Sequence, residues 1–270
     1  VTVTVDGHTY SSTTSAFTLA KATAYNLALK LTSTGLSVTS VSLTDWSEEP
    51  LPDADFEPVI SGPVVNSAGK ANGVYAVTAT GELIAYNDAA VDATCLGVAL
   101  ITDNQRIMIE KMGEANAEWN SNIPLAWGTN LFGKNVAGIT ETTDQTVAKA
   151  DFNGKDHTAA IITAYTEHSV EMKSWDMCKV LQTFNDGENN GGFTDWYIPA
   201  AGQLDEIYTN KTNINAALTA MSSTAFHDDN YWSSSESSSY DSWCVSFING
   251  HVGDYGKDYS SNRVRFVRDI

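Results

Sequence analysis

Apolar and polar positions alternate from the first residue. "VTVTVDGHTY" (residues 1–10) alternates and then meets Asp6-Gly7, a turn pair. "AYNLALKLTSTGLSVTSVSLTDW" holds two more alternating runs about Thr34-Gly35. Residues 1–46 therefore predict four short strands, too few for a stable sandwich alone. They read as the C-terminal part of a larger β-sandwich or as a small appended sheet. The alternation stops at "SEEPLPDADFEPVISGP", where four of the six prolines fall between Pro50 and Pro63. Proline and acidic residues extend a chain and resist packing, so residues 47–63 read as a linker.

Beyond Val64 the pattern predicts two hairpins. One is "GVYAVTATGELIAY", turning near Thr80-Gly81; the other is "CLGVALITDNQRIMIEK", turning at Asp103-Asn104. In "SVEMKSWDMCKVLQTF", Val170, Trp175, Cys178, Leu181 and Phe184 recur at helical spacing. A second helix follows Pro199, with Leu204, Ile207 and Tyr208 on one side, and "INAALTAM" extends it or forms a short third. After His227 short strands return as "YWSSS", "SWCVSF", "HVG" and "RVRFVR". Two helices amid many short strands give an α+β class for residues 64–270.

Composition sharpens this picture. The chain has 270 residues, 42% of them hydrophobic and 10% aromatic, enough for a core. Its formal net charge is −18, which repels nucleic acid and anionic lipid. Nucleic-acid binding and membrane insertion are not expected, and no apolar run is long enough to span a bilayer. Arg263, Arg265 and Arg268 sit at near-alternate positions and read as one face of a strand. The chain opens at Val1 in a strand-like run without an initiator Met, as a processed chain would, and shows no signal peptide.

Candidate chemistry is sparse. Cys95, Cys178 and Cys244 have no C-x-x-C spacing, so no zinc knuckle or disulfide framework is implied. Cys95 and Cys178 read as small core residues, while Cys244, between Trp243 and Val245, should point outward. The histidines are scattered without metal-ligand spacing. "NDGENNGGFTDW" (residues 185–196) is rich in calcium-type oxygen ligands, but its spacing is not that of an EF-hand, and it reads as a tight loop. No metal or cofactor is expected. The serines at 233–239 have no base near them in sequence, and Glu236 reads as a loop anchor.

The stretch between Ser237 and Ser261 joins small, polar and aromatic residues to a few core-like ones. In "WCVSF", Trp243, Val245 and Phe247 alternate inward, which turns Cys244 and Ser246 outward. Tyr, Ser, Gly and Asp dominate the rest, the composition of antibody paratopes.

Asp195-Trp196-Tyr197-Ile198-Pro199, Tyr231-Trp232-Ser233-Ser234 and Arg263-Val264-Arg265 together resemble the bacterial C-type-lectin-like domains that end in an Arg-Val-Arg strand. Many of these are variable proteins of diversity-generating retroelements. The resemblance covers roughly residues 70–270 and implies a lectin-like domain with two helices and several short antiparallel strands. Residues 1–46, ending in "SLTDW", are similar to the C-terminal portion of fimbrillin-type pilin domains. Retroelement mutagenesis acts on adenines, and Asn codons are its main targets. Changing their two adenines gives codons of the form NNY. The residues this implies for a variable ligand-binding face are Ser237, Ser238, Tyr240, Asp241, Cys244, Ser246, Ile248, Asn249, His251, Gly253, Asp254, Tyr255, Gly256, Asp258 and Tyr259. NNY codons cannot encode Trp, Lys, Glu, Gln or Met. From 237 to 262 only Trp243 and Lys257 belong to that group.

What the resemblance implies is a surface-exposed, extracellular adhesin, placed as far out as a pilus tip. Its partners would be a protein or glycan ligand, with pilus subunits joining through the N-terminal β segment. The sugar-lectin calcium signatures are absent, so calcium-dependent sugar binding is not implied. Formylglycine-generating enzymes share the broader fold, but their reactive cysteine motif is missing. The alternatives are an enzyme on that fold, using Asp186, Glu188, His227 or Glu236, and a structural surface module without a specific ligand.

Overall fold

The computed structural model describes residues 2–5, 8–11, 24–32, 35–44, 62–111, 125–187, 190–259 and 262–270. The chain divides into two compact units, Val1–Ser61 and Gly62–Ile270. In the first, β1 (Thr2–Val5) pairs antiparallel with β2 (His8–Ser11). Likewise β3 (Ala24–Thr32) pairs antiparallel with β4 (Gly35–Thr44), with an irregularity between Ala28 and Leu29. The expected turn at Asp6-Gly7 and most of the 47–63 linker lie outside the described residues.

The second unit is α+β, as the pattern predicts. β5 (Gly73–Val77), β6 (Leu83–Ala85), β7 (Gly97–Ile101) and β8 (Arg106–Glu110) form both expected hairpins. Gly81 sits at φ +82 in the first turn, and a Cβ there would lie 2.3 Å from the Val64 carbonyl oxygen. Only glycine fits both constraints. β7 is buried along its whole length, which its unbroken apolar sequence GVALI requires.

The helical part is larger than two helices. In order come α1 (Gln145–Lys149), α2 (Gly154–Glu167), α3 (Met177–Asp186), α4 (Ala201–Thr209) and α5 (Lys211–Ala220). In α2, Gly154, His157, Thr158, Ile161, Ala164 and Tyr165 are buried. That is a helical stripe, written in residues of modest apolarity and low helix propensity. α3 begins at Met177 and not near Val170. Asp176 stops it from starting earlier. Its Oδ1 accepts from the Thr129 amide (2.9 Å) and hydroxyl (2.6 Å), and its Oδ2 from the Tyr165 hydroxyl (2.9 Å) and the Lys173 amide (2.8 Å). Those bonds fix residues 173–176 as a turn and leave Trp175 44% exposed. Cys178, Leu181 and Phe184 keep the expected inward stripe. α4 and α5 are separate helices meeting at Asn210.

β9 (Asn230–Glu236), β10 (Asp241–Ser246) and β11 (Val252–Gly256) form a three-stranded antiparallel sheet. β12 (Val267–Asp269) pairs with β8 and gives a five-stranded sheet of order β12-β8-β7-β5-β6. One core joins the two sheets. Val98 and Leu100 of β7, Leu204 and Ile207 of α4, Ile214 of α5 and Trp243 and Val245 of β10 belong to it.

The terminal arginines do not share one strand face. Arg263 lies before β12, and its Nε donates to Asp229 (2.9 Å). Arg265 is 1% exposed, 3.5 Å from a Glu110 carboxylate oxygen and over the Phe226 ring at 4.5 Å. Arg268 grips both Asp195 oxygens (2.7 and 2.9 Å) and stacks on Phe193. Each faces a different acidic residue, Arg263 and Arg268 through hydrogen bonds and Arg265 as a charge contact. The single strand face expected for Arg263, Arg265 and Arg268 is corrected: Arg265 is a core residue, tolerated because Glu110, Phe226 and the Thr224 carbonyl surround it.

Candidate functional site

Three tryptophans fasten the β9–β10–β11 sheet to the segment that precedes α1. The Trp127 indole N–H donates to the Ser233 carbonyl (2.9 Å), Trp232 to that of Leu125 (2.7 Å) and Trp243 to that of Thr142 (3.0 Å). Each bond crosses more than a hundred residues of sequence. Each also satisfies a carbonyl or indole that burial would otherwise leave without water.

A buried ion pair locks the end of this sheet. Lys257 directly follows β11, and its ammonium bonds the Glu236 carboxylate at the end of β9. Both side chains are fully buried. The ammonium also donates to the Lys134 carbonyl (2.9 Å) and lies 4.9 Å from the centre of the Trp127 ring. The Lys257 amide donates to the Tyr240 carbonyl (2.9 Å), and its own carbonyl accepts from the Gly128 amide (3.0 Å). One residue thus ties the end of β11 to the loops carrying Phe132 and Tyr240. Burial pushes the Glu236 carboxyl up to about 7, against the pull of Lys257. Burial also lowers Lys257, against the pull of Glu236.

Around this frame the expected face residues divide. Tyr240 (54%), Ile248 (65%), Tyr255 (39%) and Tyr259 (45%) are exposed, as are Asn249, His251, Asp254 and Asp258. Ser238, Asp241, Gly253 and Gly256 are half-buried. Ser237, Cys244 and Ser246 are buried, where alternation predicts Cys244 and Ser246 outward. The reason lies in the register: Cys244 sits opposite Trp232, so its face is covered by the segment to which Trp232 bonds. β10 is buried on both sides. Cys95 and Cys178 are buried as expected, and all three cysteines are free thiols.

Exposed aromatics extend the surface beyond the expected residues. Phe132 is 44% exposed and meets Tyr240 edge-on, ring centres 5.2 Å apart. Tyr255 and Tyr259 stack at 5.4 Å. Phe132 lies more than a hundred residues upstream of Tyr240, and nothing in its neighbourhood, "NLFGKN", distinguishes it in sequence.

The residues of the enzyme alternative stand in different settings. Glu236 is closed off by Lys257. Asp186 is exposed at the end of α3, and Glu188 lies outside the described residues. His227 is half-buried, with burial and then Arg263 and Arg265 holding its pKa down. A cavity of about 210 Å³, lined by Glu110, Lys111, Phe184, Asn190 and Trp196 among others, takes in none of Asp186, His227 and Glu236. Ser235 comes nearest to a nucleophile constellation. Its hydroxyl donates to Asp151 Oδ2 (2.5 Å) and accepts from the Ala201 amide (3.0 Å), while His157 Nδ1 stands 3.4 Å from the same Asp151 oxygen. The serine meets the carboxylate and not the imidazole, the reverse of an activated hydroxyl. It fastens the start of α4 to β9.

Fold and site together define an α+β domain whose tryptophan-and-lysine frame carries an exposed, tyrosine-rich stretch. The family model of the Lcl C-terminal domain matches residues 125–268, more than half of the chain, and the chain belongs to that family. No curated protein is significantly similar to it in sequence. Among solved structures, a fimbrial protein from Bacteroides ovatus ATCC 8483 aligns at 15% identity with a TM-score of 0.48, over 73% of this chain and 48% of that one. This chain therefore spans about half the length of that protein.

Proposed function

We propose that the chain is a surface-displayed binding protein of the adhesin type. Its second unit presents a ligand-binding face built from exposed and half-buried members of the 237–259 stretch, and retroelement mutagenesis diversifies that face. One observation carries the reading. Trp243 and Lys257, which NNY codons cannot encode, are 4% and 0% exposed, whereas Tyr240, Ile248, Tyr255 and Tyr259, which they can encode, are 39–65% exposed. These two positions hold the frame while these four face solvent; Val245, Phe247 and Val252, also within reach of NNY codons, are buried and belong to the frame. Ser237, Cys244 and Ser246 belong to the frame, which narrows the face to the other twelve residues.

Tyrosine supplies contact area at low entropic cost, and Gly, Ser and Asp permit close approach. The exterior location, the pilus association and the protein or glycan ligand all belong to this proposal. The test is a paired scan of Tyr240, Ile248, Tyr255 and Tyr259 to Ala, measuring unfolding midpoint and binding to ligands found on glycan and surface-protein arrays. Binding should fall while the midpoint holds. Ligand binding untouched by all four substitutions would refute the face. A chain that binds nothing on either array would instead fit a structural module. Separately, a near-copy of the 3′ coding sequence close by, differing at adenines, would establish the diversification; its absence would remove it.

A further inference from the structure

The cavity of about 210 Å³ at the end of β8 shares no residue with the 237–259 stretch. Leu96, Lys111 and Gly191 are half-buried and mark its opening, while Glu110, Phe184, Asn190 and Trp196 are buried. Phe184 and Trp196 meet edge-on, ring centres 5.6 Å apart. The Trp196 indole N–H is spent on the Asn190 carbonyl (2.9 Å). The Asn190 side chain is spent too, donating to the Asn185 carbonyl (2.8 Å) and accepting from the Gly192 amide (2.9 Å). The Lys111 ammonium donates to the Ala93 and Cys95 carbonyls (2.6 and 2.7 Å), which holds its charge at the rim. Glu110 differs. Its side chain is 1% exposed, Arg265 Nε stands 3.5 Å from one oxygen, and the Phe266 amide adds a weaker pull. Neither carboxylate oxygen has a hydrogen bond of ordinary geometry among the described residues. A buried carboxylate in that state is costly unless a further donor reaches it.

We propose that this cavity binds a small uncharged molecule with an apolar ring and a hydroxyl donor, in its simplest form a phenol or a benzyl alcohol. The hydroxyl donates to Glu110, and the ring lies among Leu96, Phe184 and Trp196. The volume agrees. An apolar cavity of about 150 Å³ takes up benzene, so the larger space here admits a ring with a short substituent. Charge selects the neutral form. An anion would meet Glu110, and a cation would meet Lys111 at the rim and Arg265 beside the carboxylate. Benzene itself would leave both Glu110 oxygens without a donor. The lining residues come from the end of β8, from α3 and from the loops before β7 and α4. The site therefore stands whether or not the tyrosine-rich face binds a ligand.

The experiment titrates phenol into the intact chain and follows it by ligand-observed NMR. Phenol and benzyl alcohol should compete for one site. Benzene, which lacks the donor, should bind at least about tenfold more weakly. Benzoate and benzylamine should also bind more weakly than phenol, each by several-fold. Glu110→Gln, checked for a cooperative melt, should shrink the advantage of phenol over benzene several-fold. Leu96→Trp fills the opening and should abolish uptake of both, which keeps the test alive if Glu110→Gln fails to fold. A crystal grown with phenol should show its oxygen against Glu110. Phenol bound no better than benzene, or benzoate or benzylamine bound as well as phenol, would overturn the proposal. So would an advantage unchanged in Glu110→Gln, uptake unchanged in Leu96→Trp, or ordered water alone against Glu110 in the phenol-grown crystal.

Discussion

Lys257 turns its ammonium into the protein and bonds Glu236, although its neighbours Tyr255, Asp258 and Tyr259 face solvent. Removing one member of a buried pair strands the other charge. Lys257→Ala or Glu236→Ala should each cost roughly 3–5 kcal/mol. The double change Glu236→Ala with Lys257→Ala should cost clearly less than the sum of the two. Denaturant midpoints of the four proteins close the cycle.

Phe247 and Ile248 are adjacent with opposite fates. Phe247 is fully buried and packs on Phe226 (4.6 Å) and Tyr231 (4.5 Å), while Ile248 is 65% exposed. Phe247→Ala should destabilise by about 3–5 kcal/mol through cavity formation. Ile248→Ala should stay within about 0.5 kcal/mol. Chemical denaturation measures both.

Gly250 holds the turn between β10 and β11 at φ +75, and a Cβ there would fall 2.3 Å from Tyr208 Cε1. Gly250→Ala should lower stability by roughly 1–3 kcal/mol, combining left-handed strain with displacement of the Tyr208 ring. A thermal melt and a crystal structure of the variant would reveal whether Tyr208 swings away.

Glu110 is fully buried beside Arg265, and burial raises its carboxyl to about 7. A carboxyl raised on folding favours the folded state below its unfolded value of about 4.5, and that contribution is lost as pH rises through 7. Relative to Glu110→Gln, the wild-type melting temperature should therefore fall between pH 4.5 and pH 7 and run parallel above it. Melts across pH 4–8 would test the sign.

The unit from Gly62 carries its own core, and Gly62 itself lies against the Phe193 ring. A chain beginning at Gly62 should unfold in one cooperative transition with a midpoint close to that of the full chain. Calorimetry showing a broad or much lowered transition would contradict this.

Local signals were legible where local chemistry decides the structure. The two hairpins of the five-stranded sheet follow from their alternation and turn residues, and the inward stripe of α3 follows from Cys178, Leu181 and Phe184. The start of α3 was not legible, because Asp176 takes its partners from Thr129 and Tyr165, far off in sequence or on another helix. α2 hides its stripe among Thr, Ala and His, although the spacing of Gly154, Ile161 and Tyr165 could have disclosed it. Alternation in β10 located the Trp243 face but gave no sign that the opposite face is covered too. The cover arrives through Trp232 and Leu125. Phe132 joined the face for the same reason: only the folded chain brings it to Tyr240.

β12 follows the exposed stretch in the chain, yet it pairs with β8 along the five-stranded sheet, and Arg265 just before it meets Glu110 in the interior. On the ribosome, the sheet stays open until the tyrosine-rich stretch has been read through in frame. A copy carrying a stop or a frameshift in that stretch would lose the closing strand and the arginine together. Folding then acts as a proofreader: only a chain read in frame through the stretch gains the strand and the arginine that complete its core.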